Sequence, residues 1–160
     1  MRLVYSIAII LVLSSNAILA SNDIERLDAA FKIYEKKYKQ VFEEKAPEIA
    51  KLLPKISLDN EFEKALQCFL NELEASQGRQ GVEKYLNDYE VFVQQNFTSV
   101  RQLTGAPTGL PVEQAMQTNK ACGITALSLK RMQDSGYNKI YSDPKLLEQL
   151  TELFSAPEPS

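Results

Sequence analysis

A chain of 160 residues has room for one domain, and an apolar share of 44% is ordinary for a globular protein. The formal charge is −3, and the densest cationic stretch, Lys36, Lys37 and Lys39, is interleaved with Glu35, Glu43 and Glu44, which argues against nucleic acid as a partner. The chain has no His, so the usual general base near neutral pH and the His-dependent nucleophile arrangements are missing.

The N-terminus reads Met1-Arg2, an apolar run from Leu3 to Leu13, and then Ser14-Ser15-Asn16-Ala17-Ile18-Leu19-Ala20. A positive charge, a short apolar run and a small-residue exit are the three parts of a secretory signal. The run is shorter than the roughly 20 apolar residues that cross a bilayer. Residues 1–20 are therefore expected to be a signal peptide removed after Ala20, with Ala17 as the alternative cut and an uncleaved anchor as the alternative fate. The mature protein is expected to be secreted and extracellular, with no membrane span.

Residues 21–154 read as a single helical domain. From Asp23 to Lys45, the apolar residues Ile24, Leu27, Phe31, Tyr34, Tyr38 and Val41 recur at steps of three and four, one stripe of a helix. Pro47 opens a short turn that Pro54 stops. Asp59 or Asn60 caps a helix to about Ser76, whose inward stripe is Phe62, Leu66, Phe69 and Leu73. Gly78 and Gly81 bracket a break before a fourth helix, Val82 to about Leu103, with Tyr85, Leu86, Tyr89, Phe92 and Val93 facing inward. Gly105 to Pro111 is the most evident loop.

A fifth helix is expected from about Val112 to Gln133, containing Ala115, Met116, Cys122, Ala126, Leu127, Leu129 and Met132. Gly123 in its middle would let a neighbouring helix approach. After a connector carrying Tyr137 and Tyr141, Asp143-Pro144 starts a last helix that would bury Leu146, Leu147, Leu150, Leu153 and Phe154. Residues 155–160 read as a frayed tail. No segment alternates as strands do. The fold class is all-α, a bundle of five or six short amphipathic helices.

Cys68 and Cys122 are the only cysteines, an even count in a chain bound for an oxidising compartment, and are expected to form one disulfide pinning the third helix to the fifth. Separate buried thiols are the alternative. No metal site is expected, since neither His nor a Cys-x-x-Cys completes a ligand set. No cofactor is expected either, because no phosphate loop or calcium loop appears. Asn96-Phe97-Thr98 is the one Asn-x-Ser/Thr sequon, so Asn96 is the expected glycosylation site.

Three functional readings follow. The first is a non-enzymatic carrier of a small apolar, lipid-like ligand in a cavity lined by Phe31, Tyr34, Tyr38, Phe69, Tyr85, Tyr89 and Phe92, where phenols meet a polar head and Phe and Leu hold its tail. The second is a solid bundle acting by surface contact with another extracellular protein. The third, a hydrolase using distant carboxylates, has no supporting spacing. The chain is read as a non-enzyme.

Overall fold

The computed structural model describes the backbone of residues 2–155 and the side chains of residues 22–155. The side chains of the expected leader and the tail beyond Ser155 lie outside the described residues. The elements in order are α1 (Arg2–Lys45), α2 (Pro47–Ala50), α3 (Asn60–Gln94), α4 (Val100–Leu103), α5 (Val112–Ala121), α6 (Ile124–Ser135), a 3-10 helix (Tyr137–Ser142) and α7 (Pro144–Ser155). Among the described residues there is no strand. The protein is an all-α bundle, as its apolar periodicity requires. No helix among the described residues is long and apolar enough to cross a membrane.

The centre is α1 packed along α3. Leu27, Phe31, Val41 and Phe42 of α1 meet Leu66, Phe69, Leu73, Val82, Leu86 and Val93 of α3, with Ile49 of α2 and Ile140 of the 3-10 helix fully enclosed. Each such side chain contributes about 1.5–3 kcal/mol by leaving water. Charged residues reinforce the pairing at one end. Arg79 donates to the carboxylate of Asp23 (2.6 Å), which is only 2% exposed, and also to Glu83. Arg26 donates to Glu83 (2.8 Å) and to both oxygens of Glu90 (2.7 and 3.0 Å). The guanidinium groups hold the carboxyls of Glu83 and Glu90 below their ordinary range.

The helix boundaries differ from the sequence expectation in three places. The third and fourth expected helices run as one, α3, kinked at Gly78 (φ 71°, ψ 178°). That helix ends at Gln94 rather than near Leu103. Residues 95–99 leave it, Phe97 turns inward, and a new turn starts at Ser99, whose hydroxyl and the Gln102 side chain form a capping box. The expected fifth helix is broken into α5 and α6 at Cys122-Gly123. Gly123 takes φ 81° with open space where a side chain would stand, so it makes a corner and not a close helix approach. Cys122 accordingly caps α5 and does not sit at a helix centre.

Burial differs too. Ala115 and Leu150 are buried, but Met116 (61% exposed), Leu129 (55%), Met132 and, on α7, Leu147 and Phe154 are exposed. The reason is geometric: α5, α6 and α7 lie at the rim, and each has the core on only one side.

Cys68 and Cys122 are bonded, with Cα atoms 5.6 Å apart, and among the described residues no free cysteine remains. The bond ties the first half of α3 to the α5–α6 corner.

Candidate functional site: a divided aromatic crevice

The aromatic side chains of α1 and α3 form one continuous cluster. The Phe31 ring meets Tyr89 edge-on at 5.1 Å, Tyr85 links Tyr89 to Phe69, and Phe92 joins Tyr89 to Phe97 and Tyr34. Tyr34 stacks on Tyr38 four residues on, one helical turn along the same face. Most of this cluster is packed ring against ring. Space remains at its edge, where α5, α6 and two loops do not close down on it.

That space is two adjoining crevices. The first, about 290 Å³, is lined by Phe31 of α1, by Phe62, Leu66, Phe69, Tyr85 and Tyr89 of α3, by Ala106, Pro107 and Thr108 of the loop, and by Ala115, Asn119 and Ile124 of α5 and α6. The second, about 240 Å³, is lined by Tyr34, Tyr38, Pro54, Lys55, Ile56 and Phe62, with Ser128, Arg131 and Met132 of α6 opposite. Ile56 and Phe62 line both and so form the sill between them. Three larger depressions, of about 470, 610 and 940 Å³, are lined by mixed charged, polar and aliphatic side chains and offer no aromatic wall.

Of the seven residues expected to line a ligand cavity, Phe31, Phe69, Tyr85 and Tyr89 share the first crevice, and Tyr34 and Tyr38 share the second. Phe92 lines neither, being covered by Tyr34, Tyr89 and Phe97. One contiguous enclosed chamber is not what these residues make. Helical periodicity places α1 and α3 but is silent on the 54–58 strap and the 106–108 loop, which supply the missing walls. Pro54 and the Gly105–Pro111 cluster were the available signals that the chain leaves helical geometry there.

The strap is held by one carboxylate. Glu35 accepts the backbone N–H groups of Ile56 (3.0 Å) and Ser57 (2.7 Å) and pairs with Lys39. Burial works against its ionisation, yet the hydrogen bonds from Lys39 and from the two amides prevail and hold its pKa below the ordinary 4.5. On the far side, Arg131 stacks on the Phe62 ring (4.3 Å to the centroid), donates to the carbonyls of Lys55 and Ile56, and pairs with Asp59 at 2.6 Å. The sill is therefore fixed from both sides.

The loop wall is fixed by contact. Gly109 sits so close to Tyr85 that an added Cβ would stand 2.9 Å from the ring, and its carbonyl accepts from Gln77 at 3.0 Å.

The phenols differ in what they bind. Tyr34 donates to the carbonyl of Leu103 at 2.8 Å, and burial pushes its pKa up to about 12. Burial raises the Tyr85 and Tyr89 hydroxyls further, so both stay neutral donors. Tyr85 is 7% and Tyr89 6% exposed, and neither hydroxyl has a hydrogen-bond partner among the described residues. Neither oxygen is closed off: among the described residues the one buried side-chain polar atom without a partner is Gln149 Oε1, so both phenols keep contact with the open side of the crevice. Compared with protein-family models, with curated proteins and with solved structures, the chain matches none. The crevice and its aromatic lining therefore carry the functional argument by themselves.

Proposed function

We propose that the protein is a secreted, non-enzymatic carrier that holds a small apolar, lipid-like ligand in the aromatic crevice. The observation that supports this most directly is the crevice of about 290 Å³ itself, walled chiefly by Phe31, Phe62, Leu66, Phe69, Tyr85 and Tyr89, with Thr108 and Asn119 as further polar groups in its lining. Together the two crevices reach the size range of small-molecule sites, roughly 300–1,000 Å³. A phenol donor beside Phe and Leu walls suits a ligand with one polar atom and an apolar body. Export is supported by the leader pattern of residues 1–20 and agrees with the Cys68–Cys122 bond.

The first test is native mass spectrometry of protein isolated from its source, in which a co-purifying apolar molecule is expected. The second is titration with an apolar fluorescent probe such as N-phenyl-1-naphthylamine. Wild type is expected to bind it, and Ala106→Trp, which fills the first crevice from its loop side, to lose at least tenfold in affinity. Absence of both bound ligand and probe binding overturns the carrier reading.

That outcome would favour action by surface contact with another extracellular protein. The exposed apolar side chains Val112, Met116, Leu129, Tyr141, Leu147 and Phe154 support this second reading.

Glycosylation belongs to the same proposal. Asn96 is exposed in the non-helical 95–99 segment, where an oligosaccharide meets no packed neighbour. In a eukaryotic host, peptide-N-glycosidase is expected to reduce the mass of the wild type and leave Asn96→Gln unchanged.

A further inference from the structure

The charged groups on the second crevice point to one kind of head group. Its lining carries two charges, the ammonium of Lys55 and the guanidinium of Arg131, and no carboxylate. Arg131 lies flat on Phe62, the residue that also walls the first crevice, so its positive charge stands at the junction of the two spaces. It is only partly used. Its Nη atoms serve the carbonyls of Lys55 and Ile56 and the carboxylate of Asp59, while Nε has no hydrogen-bond partner among the described residues. Asp59, paired with Arg131, and Asp134, paired with Lys130, line the adjoining depression with Lys55 and Arg131, and the Glu35 carboxylate holds the strap from the other side through the Ile56 and Ser57 amides. The Lys55 side chain is exposed and has no ion-pair partner among the described residues; its only bond to the fold is through its backbone carbonyl.

We infer that the ligand is an anionic amphiphile, a long-chain carboxylate, whose head lies between the Lys55 ammonium and the Arg131 guanidinium. Its tail crosses the Ile56–Phe62 sill into the Phe31–Tyr89 crevice. This rests on the carrier reading and narrows it. The two crevices share a sill, so an extended chain spans both, whereas a compact ring system fills one. A carboxylate takes charge-assisted hydrogen bonds from both cations, and an alcohol of the same length takes weaker ones.

The experiment compares dodecanoate, dodecanol and dodecyltrimethylammonium, each below its micelle concentration, by calorimetric titration into oxidised, delipidated protein at low salt. Dodecanoate is expected to bind about tenfold more tightly than dodecanol. Lys55→Met is expected to remove that preference by weakening dodecanoate far more than dodecanol, and Lys55→Arg to retain it. Far-ultraviolet circular dichroism checks that both variants fold, as the exposed position predicts. Equal binding of the acid and the alcohol, tighter binding of the quaternary ammonium, or a preference that survives in Lys55→Met overturns the head-group assignment and leaves the carrier reading standing. Failure of all three, together with the fluorescent probe, overturns both.

Discussion

Gly109 and Glu35 show how single residues set the walls of the crevice. At Gly109 the backbone takes φ 69° and the Cα faces the Tyr85 ring and a methyl of Leu73, so a methyl group meets both a strained conformation and a collision. Gly109→Ala is expected to cost about 1–3 kcal/mol, read as a lowered urea midpoint at unchanged slope, because the positive φ disfavours a Cβ that would also press on Tyr85 and Leu73. Glu35 acts electrostatically. Its side chain is 14% exposed and satisfies two amides of the strap, so Glu35→Ala is expected to cost about 2 kcal/mol at pH 7. Because its folded pKa is depressed, this contribution is fully present above the ordinary value of 4.5 and is lost as pH falls through the folded value. Urea titrations at pH 7 and pH 3 should therefore show the difference between wild type and Glu35→Gln shrinking at the lower pH.

At the scale of elements, what could be read in advance depended on period. The stripe Leu27, Phe31, Tyr34, Tyr38 and the stripe Phe62, Leu66, Phe69, Leu73 identify α1 and α3 without a structure, since only a helix brings such spacing to one side. Met116, Leu129, Met132, Leu147 and Phe154 carry the same spacing yet stay exposed, because periodicity reports that a face is apolar and not that anything covers it. The break at Gly123 was hidden for a related reason: a glycine in a helical pattern has the same sequence signature whether it makes a corner or admits a neighbour. The crevice residues from α1 and α3 were legible as a face. Lys55, Ile56, Pro107 and Arg131 were not, because long-range contact between a strap and a helix about 75 residues away leaves no local pattern.

Beside its core, the molecule is held by one disulfide and, among the described residues, by an ionic tie of Asp23, Arg26, Arg79, Glu83 and Glu90, with Arg131–Asp59 as a second. The ionic tie includes a buried carboxylate, and Asp23→Ala strands Arg79 with Glu83 alone. The expected loss is about 1–3 kcal/mol, discounted because the Arg79 side chain is 31% exposed. The covalent tie closes a sequence separation of 54 residues, and Cys68→Ala/Cys122→Ala is expected to lose about 4 kcal/mol in urea denaturation.

The position of that sulfur pair matters beyond stability. Ala115 and Asn119 precede the corner at Cys122, and Ile124, Ser128 and Met132 follow it, so one side of both hollows is anchored at the disulfide, with Arg131 on Asp59 and Phe62 as a second anchor. Cutting the disulfide with a reductant loosens the α5 side of that panel, while α6 stays held through Arg131 and α1 and α3 stay clasped through Arg26 and Arg79. On the carrier reading, a reductant should thus lower the affinity for the fluorescent probe at concentrations that leave the far-ultraviolet circular dichroism unchanged.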